Sequence, residues 1–430
     1  MSDYMFMLDS HLSSEQSQVV EGVQSVVSDA GMSLFLTGGA MRDMMGGFPI
    51  RDLDFTIEDN PLKLAKALAH RTGAEIVATD TRRKCVELRF PGNVTAEIGM
   101  ARTQRYAKAA GKPHVTPATI HDDLRGRDFT INAIALSLNR ASRGLLLDPT
   151  NGLGDIQRKE LRANSNYSFY DDPSRLLRLI RLKTRLNYTV EERTGMQYAN
   201  VRQAGMESRI PPETLFRELR QMAEEPNPAA LLEALEKESL LPLFCPALAG
   251  QKLNLAGMQR LQKAKQQVPF GVNLAVDNFS LFLEILGEPL NAGERQLLVK
   301  SSAIDKSWVR RWQKVEPAAK KLERELKSAK LQKPSQVYGV VAPAAGELVL
   351  FLLMQSEHRL VHDRLINYLQ KYVPASQEVA DAAVAAASGA QPGTPKFKKA
   401  KAEAIAARLD SRPRKPPPPE PEVVLVPAKR

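Results

Sequence analysis

The stretch LFLTGGAMRDMMGGFPIRDLDFTI, residues 34–57, decides the fold class of this chain. It opens with a short apolar run, Leu34 to Thr37, that predicts a strand; Gly38 and Gly39 then mark a turn, after which a helix is expected. Two glycines between a strand and a helix let backbone N–H groups approach a phosphate, and the helix N-terminus adds partial positive charge. A double glycine alone is more often a plain turn, so this interpretation needs support from neighbouring residues.

That support comes from two acids near the end of the same stretch. Asp52 and Asp54 open a second predicted strand, in which side chains two residues apart lie on one face. Adjacent carboxylates repel unless a cation neutralises them, and hard oxygen ligands suit Mg²⁺. Such metal ions can activate an attacking hydroxyl and stabilise a leaving pyrophosphate. A solvated strand edge is the alternative, but the nearby glycine turn favours a phosphoryl-transfer site in which both acids are catalytic metal ligands.

Two further groups complete the predicted site. Glu97, in the predicted strand 95–98, is the candidate for a third metal ligand, and Glu87 on another predicted strand is the alternative. Arg42 follows the glycine turn and supplies a charged donor for the phosphates of a nucleotide. The sequence therefore predicts that carboxylates, an arginine and backbone N–H groups meet at one place.

Length and composition indicate a protein of several parts with a polyanionic partner. The 430 residues exceed the usual size of one hydrophobic core. Lys and Arg number 60 against 49 Asp and Glu, and the formal charge of +11 favours nucleic acid, although a basic solvated surface gives the same value. Cys85 and Cys245 are isolated, which argues against a disulfide framework or a paired-cysteine zinc site. No apolar run approaches the ~18 residues of a membrane span, and no export signal opens the chain, so we expect a cytoplasmic protein with no membrane partner.

The periodicity divides the chain into an α/β first third and a helical remainder. Before about Pro173, β-branched runs alternate with helical periodicity, which predicts one sheet with helices. Beyond about Ser376 the composition turns Ala-rich, then Lys-rich, then Pro-rich, which predicts a mobile, disordered basic tail. Between these points helices are predicted at 174–186, 212–224, 228–239 and 346–370.

Five blocks in order resemble the tRNA nucleotidyltransferase and poly(A) polymerase family of bacterial class II type, closely over about residues 34–186. They are the glycine turn with its two acids, then the segments 123–133, 147–162, 171–181 and 209–219. The resemblance implies an α/β head with a polymerase β-like nucleotidyltransferase sheet, followed by an all-α neck, body and tail. The expected boundaries are 1–148 for the catalytic head, 149–208 for the neck, 209–300 for the body, 301–375 for a tRNA-binding tail and 376–430 for a disordered extension.

The resemblance also implies roles in the head. Asp52 and Asp54 would hold two catalytic Mg²⁺ ions, while the glycine turn and Arg42 would bind the triphosphate. The segment 123–133, DLRGRDFTINA, is similar to a ribose-recognition motif, so Arg127 and Asp128 would contact ribose or phosphate. A surface ion pair is the plain alternative for these two residues.

The segment 171–181, DDPSRLLRLIR, resembles the nucleotide template of the family. Its likeness implies that Asp172 and Arg175 present donors and acceptors to a base edge and so select C or A. Arg178 and Arg181 continue a basic stripe at three-residue spacing on one helix face, and both are counted as nucleotide-binding. Standing alone, such a stripe would indicate a solvated helix face.

Several departures from the family pattern affect specificity. Gly126 stands where the family usually has an arginine, Gln104 replaces an acid in a flexible loop, and Thr214-Leu215 replaces Arg-Ile. These changes leave CC-adding or A-adding activity open. The run Arg82-Arg83-Lys84 lacks the pattern usual in poly(A) polymerases, so a tRNA substrate is preferred.

The expected function is addition of C and/or A nucleotides from CTP or ATP to the 3′ end of tRNA, with release of pyrophosphate. Its partners would be the tRNA acceptor arm with its 3′ end, and the two nucleotides. A partial enzyme or a poly(A) polymerase is the enzymatic alternative, and an inactive RNA-binding homologue is the non-enzymatic one. A phosphohydrolase at the pair His362-Asp363 has little support, because only six histidines occur and none forms a ligand cluster there.

Overall fold

The structure is a computed structural model that describes residues 3–272 and 274–411. Its contacts divide the chain into two compact units, one of residues 1–262 with 278–312 and the other of residues 263–277 with 313–430. The first unit contains the strands, and the second is helical.

A mixed sheet forms the centre of the first unit. Its strand order is β3-β4-β5-β2-β1-β8-β9, in which β2 and β5 run parallel and the other described neighbours run antiparallel. Strands β6 and β7 form a separate hairpin, and β10 pairs with β11. The bounds are β1 (Leu34–Thr37), β2 (Leu53–Ile57), β3 (Glu75–Asp80), β4 (Cys85–Arg89), β5 (Thr95–Met100), β6 (Arg102–Tyr106), β7 (Pro113–Pro117), β8 (Ala135–Ser137), β9 (Leu146–Leu147), β10 (Glu160–Leu161) and β11 (Thr189–Val190).

Helices surround this sheet and make up the rest of the chain. Up to residue 312 they are α1 (Asp3–His11), α2 (Ser14–Asp29), α3 (Gly38–Met45), α4 (Ala65–Thr72), α5 (Ile120–Arg125), α6 (Gly152–Arg158), α7 (Ser168–Asp171), α8 (Ser174–Leu186), α9 (Glu192–Gln203), α10 (Pro212–Ala223), α11 (Pro228–Lys237), α12 (Leu255–Lys265), α13 (Asn278–Gly287), α14 (Ala292–Ser301) and α15 (Lys306–Trp312). After it come α16 (Val315–Leu326), α17 (Pro334–Val341), α18 (Gly346–Gln355), α19 (Arg359–Asn367), α20 (Val373–Gln377), α21 (Asp381–Ser388) and α22 (Pro395–Asp410).

Strand β1 is buried on both faces, which places the glycine turn inside the unit rather than at its surface. Leu34 and Leu36 pack in the main core, while Phe35 points to a second cluster with Leu124. This alternation follows from the two-residue period of a strand. The predicted α/β head and the helical remainder are thus confirmed, and the predicted helix 174–186 matches α8 at both ends.

Two predictions for the second unit are wrong. The single helix expected over 346–370 is broken: α18 ends at Gln355, α19 begins at Arg359, and a π-helical turn follows at Tyr368–Tyr372. Residues 381–410, predicted to lack packed structure, form α21 and α22, because Val384, Ala390 and Phe397 build a small apolar cluster. The rest of the predicted disordered tail, 412–430, lies outside the described residues.

In residues 3–272 and 274–411, no single helix has both the length and the apolar composition to cross a membrane. Helices α17 and α18 satisfy both criteria only as a pair, and that pair is bent by 111°.

Candidate active site on the mixed sheet

The glycine turn lies against the carboxylate of Asp54. Strands β1 and β2 are antiparallel neighbours, so the end of β1 lies beside the start of β2. Gly38 adopts a left-handed backbone with φ of +64°, which favours glycine. The Gly39 N–H then donates to Asp54 Oδ2 over 2.9 Å. A Cβ atom at either glycine would come within 3.0 Å of the same oxygen, so the turn needs two residues without side chains.

We therefore expect Gly39→Ala to lower catalytic turnover about 10-fold, because the Asp54 carboxylate must shift by a few tenths of an ångström and misplacing a catalytic group is costly. The added methyl group would push Asp54 away from the backbone that holds it. Gly195→Ala is the matched control, since a Cβ there meets nothing within 4 Å. Equal turnover of the two variants would contradict the positioning role of the turn.

Two other carboxylates, Glu97 and Asp52, lie near Asp54. Parallel pairing of β2 with β5 puts Asp54 in register with Glu97, and Glu87 of β4 is in register with Glu97 on the other side. Asp52 precedes β2, and its Oδ1 accepts a hydrogen bond from Thr95 Oγ1 at 2.9 Å. Burial, followed by the charges of Glu97 and Asp52, raises the pKa of Asp54 to about 6.

These carboxylates repel one another, so their arrangement favours a bound divalent cation. A bound cation would remove the repulsion that favours the protonated form of Asp54. Across the two described segments, no group of three or more His, Cys, Asp or Glu side chains is arranged to hold a metal ion. Substrate phosphates and water would complete the shell of a cation held by these carboxylates. Whether Glu97 is a ligand stays a prediction.

Arg127 forms hydrogen bonds to both strands that flank the glycine turn, β1 and β2. Its Nε and Nη2 donate to Asp123 Oδ2 over 3.0 and 2.9 Å, and Nη2 also reaches Thr37 Oγ1 at 3.2 Å and Thr56 Oγ1 at 3.1 Å. Nη1 donates to the Asn132 carbonyl over 3.2 Å. One half-buried guanidinium therefore ties β1, β2 and the segment after α5 together. Asp123 was not predicted from the sequence, although a carboxylate four residues before Arg127 at the end of a helix was a usable signal.

Asp128 links the head to α8. Its Oδ1 accepts from Asn132 Nδ2 at 3.0 Å and from the Phe129 N–H at 2.8 Å, and Arg178 Nε lies 2.6 Å from Oδ2. Burial opposes ionisation of this carboxyl, but Arg178 and Arg175 outweigh it, and the pKa is lowered. The predicted ribose contact and the predicted stripe residue thus form one ion pair in this structure.

Arg42 is buried and already bonded. Its Nε and Nη2 donate to Asp43 Oδ1 over 2.9 and 2.7 Å, and Nη1 donates to Asn132 Oδ1 over 2.8 Å. With 5% of its surface exposed, it supports the turn from behind rather than facing solvent. Binding of a triphosphate by Arg42 stays a prediction.

The three arginines of the predicted stripe have different surroundings. Arg175 Nη1 donates to Ser168 Oγ over 2.7 Å, and Arg178 pairs with Asp128. Arg181 is buried and lies 3.3 Å from both Glu218 and Glu225. The stripe therefore does not form one solvent-facing surface, because α8 packs against other helices on the side where Arg181 lies.

Asp172 stands at the N-terminus of α8, where other charged groups converge on it. Its Oδ1 accepts from the Ser174 N–H at 3.1 Å and from Ser174 Oγ at 2.5 Å. Burial and then the Asp172 charge raise the pKa of Tyr106 on β6. Loss of hydration and then the positive charge of Arg83 lower the pKa of Arg217, which also senses Asp172. Arg83 and Arg217 were not predicted as site residues, since only tertiary packing brings the β3–β4 turn, β6 and α10 to the start of α8.

Comparison with known proteins shows what this chain is similar to. Residues 34–162 match the family model described as a poly(A) polymerase head domain. The chain is 29% identical over 351 residues to the A-adding tRNA nucleotidyltransferase of Aquifex aeolicus, which covers 78% of this chain and 40% of that protein. It is 33% identical over 239 residues to the A-adding enzyme of Halalkalibacterium halodurans, covering 55% of this chain and 56% of the relative. Residues 34–162 therefore resemble the poly(A) polymerase head domain, and the curated relatives that match the chain are tRNA nucleotidyltransferases.

The relatives differ in the nucleotide that their names give as added. The CC-adding tRNA nucleotidyltransferase of Deinococcus radiodurans is 38% identical over 153 residues, 36% of this chain and 41% of that protein. A solved tRNA nucleotidyltransferase, complexed with a primer tRNA and an incoming ATP analogue, is 26% identical with a TM-score of 0.51, covering 81% of this chain and 98% of that one. The chain thus spans only about half the length of the curated relatives it matches. The family implies dependence on a divalent metal ion.

Proposed function

We propose that this protein adds C and/or A nucleotides from CTP or ATP to the 3′ end of tRNA and releases pyrophosphate. The observation that carries the proposal is the carboxylate of Asp54, held by the Gly39 N–H and raised in pKa by burial, Glu97 and Asp52. The relatives named as A-adding and CC-adding enzymes support the choice of substrate. A cytoplasmic location, where tRNA is matured, is part of the same proposal.

Asp52 and Asp54 would hold two Mg²⁺ ions, with Glu97 as the candidate third ligand. When bound, the metal activates the 3′-hydroxyl for attack on the α-phosphate and neutralises charge on the leaving pyrophosphate. The protein's own contribution is positioning. The Gly39 N–H fixes Asp54, the Thr95 hydroxyl orients Asp52, and the N-terminus of α3 places partial positive charge near the phosphates.

The base would be selected at the start of α8. Asp172 offers a carboxylate, and Arg175 offers guanidinium N–H groups, so together they can match the donors and acceptors of a base edge. Arg175 also reaches the Gly126 carbonyl at 3.5 Å, so the residue that departs from the family pattern lies next to the predicted template. This contact favours an altered specificity as the second candidate, in which only CC or only A is added. A poly(A) polymerase would instead extend RNA ends regardless of a tRNA fold.

The deciding experiment supplies tRNA lacking its terminal CCA, and tRNA ending in CC, with CTP alone, ATP alone or both, followed by sequencing of the products. A complete enzyme would restore CCA from both nucleotides, a CC-adding enzyme would stop before A, and an A-adding enzyme would extend only the second substrate. Asp52→Ala is the control and should abolish incorporation. Full incorporation by this variant, or none by the native protein, would refute the proposal.

A further inference from the structure

An arginine-rich surface lies outside the carboxylate site, on helices α10 and α15. Its members are Arg217, Arg220, Trp308 and Arg311, and they are called the arginine–tryptophan surface below. The Arg220 and Arg311 guanidinium carbons lie 5.6 and 4.8 Å from the centre of the Trp308 ring. Arg217 lies three residues before Arg220 and therefore on the same face of α10.

Aromatic packing fixes this surface. Phe216 of α10 meets Phe279 of α13 with ring centres 5.6 Å apart, and Phe279 meets the edge of Trp308 at 5.1 Å. The start of α15 is capped by Asp305, whose Oδ1 accepts hydrogen bonds from the Ser307 N–H at 2.7 Å and the Trp308 N–H at 3.2 Å. The indole is therefore held in place, and the arginines stacked near it lose less conformational freedom when they bind a ligand.

Within the described part of the chain the arginines of this surface feel carboxylates only at longer range, Asp172, Glu218 and Asp80 for Arg217 and Asp305 for Arg311. Arg217 Nη2 donates to the Thr214 hydroxyl over 2.9 Å, and Arg220 and Arg311 contact the Trp308 ring; none of the three forms an ion pair at contact distance there. Asp305 faces Arg311, but its carboxylate is occupied as the helix cap. Guanidinium groups stacked on an aromatic ring keep their N–H edges free for phosphate oxygens.

We propose that the arginine–tryptophan surface binds the phosphodiester backbone of the RNA whose 3′ end enters the carboxylate site, an inference that rests on the proposed function. The surface begins near the start of α8, where Asp172 and Arg83 act on Arg217, and α10 then leads to Arg220 and Trp308. A free nucleotide carries its charge at one end, whereas a row of cations leading away from the site matches a chain of phosphates. The arginines reach phosphates rather than base edges, so binding is independent of base sequence.

The test compares the double variant Arg220→Ala/Arg311→Ala with Arg310→Ala. Arg310 is two positions from Trp308 and so projects from the opposite side of α15, which makes it a matched charge control. We expect the double variant to raise KM for tRNA about 10-fold, with KM for CTP and ATP and kcat within about 2-fold of native. The slope of log affinity against log salt should fall by about 2, one for each phosphate that the variant no longer neutralises.

Fluorescence gives a readout that does not depend on activity. The chain has two tryptophans, of which Trp312 is buried and Trp308 half-buried. Titration with tRNA should change the emission of the native protein, and Trp308→Phe should remove most of that change while keeping an aromatic ring and the melting temperature. An unchanged emission, or an equal loss of affinity in Arg310→Ala, would overturn the inference.

The two proposals can fail separately. If the native protein adds nucleotides to tRNA while the double variant binds tRNA as tightly as native, the proposed role of the surface is refuted and the proposed function stands. If the native protein adds none but binds tRNA through these arginines, the function is refuted and the surface stands.

Discussion

Replacing Asp54 with Asn is expected to abolish nucleotide addition and, at neutral pH, to make the metal-free protein more stable. The loss of activity should be about 10³-fold or more, because metal coordination supplies several kcal/mol of transition-state stabilisation. The gain in stability follows from the crowded charge, since the pKa of Asp54 is raised from 3.8 to about 6 by burial, Glu97 and Asp52. Asn keeps an oxygen that can accept the Gly39 N–H and carries no charge.

The pH dependence has a definite sign. The pKa of Asp54 is 3.8 in the unfolded chain and about 6 in the folded chain. Ionisation of Asp54 therefore destabilises the fold increasingly as the pH rises between these two values, and to the full extent above the higher one. The full shift corresponds to about 3 kcal/mol, which solvent screening of this half-buried carboxylate reduces to about 1–2 kcal/mol. Asp54→Asn should therefore melt several degrees higher than native at pH 7.5, and at the same temperature as native near pH 4.

Melting curves at both pH values, with and without MgCl₂, check this prediction. Mg²⁺ should stabilise the native protein and leave Asp54→Asn nearly unaffected, because the variant has lost a ligand. A lower melting temperature of Asp54→Asn at pH 7.5 would contradict the unfavourable charge assigned to this residue.

Replacing Arg181 with Leu is expected to destabilise the protein by about 3 kcal/mol, the lower end of the usual cost of removing one partner from a buried ion pair, because Arg185 stays 3.7 Å from Glu225. Arg181 lies 3.3 Å from both Glu218 and Glu225, and all three side chains are at least nine-tenths buried. Burial already raises the pKa of Glu225, and Arg181 opposes that rise. Without Arg181 the carboxyl would take up a proton more readily, so the destabilisation should shrink as the pH falls.

Urea unfolding of Arg181→Leu measures this effect, with Lys183→Leu as the control. Lys183 is an exposed residue on the same helix, so the same charge is removed without a buried partner. The added substitution Glu225→Gln should restore part of the stability, because it removes one of the two buried carboxylates that lost Arg181 as a partner. A normal unfolding free energy for Arg181→Leu, together with a large rise in KM for CTP and ATP, would favour the nucleotide-binding role predicted from the stripe.

The contrast between Asp54 and Arg181 shows where local pattern was sufficient. Residues 34–57 contain a strand, a glycine turn and two acids in a short segment, and β1, α3 and β2 form there as the pattern predicts. The stripe on α8 was equally regular. Its last member, Arg181, is nevertheless buried against two glutamates. A local pattern could not indicate this, because the two partners lie 37 and 44 residues further along the chain.

The C-terminal helices also could not be predicted from local pattern, but here the pattern indicated too little structure. An Ala- and Lys-rich composition gave no reason to expect packing over residues 381–410. The structure nevertheless brings Asp410 to Ser335, 75 residues away, with a hydrogen bond of 2.7 Å between their side chains.

By itself the sequence determined the α/β head, the helical remainder and the place of Asp54 beside the glycine turn, because strand and helix periodicity and turn chemistry act over a few residues. Tertiary structure alone decided that Glu97 lies in register with Asp54, through the parallel pairing of β2 and β5. It also decided that Arg217 lies near Asp172 and that Arg220 and Arg311 meet at Trp308. These pairings join residues far apart in the chain, and their positions depend on how whole helices pack rather than on any local pattern.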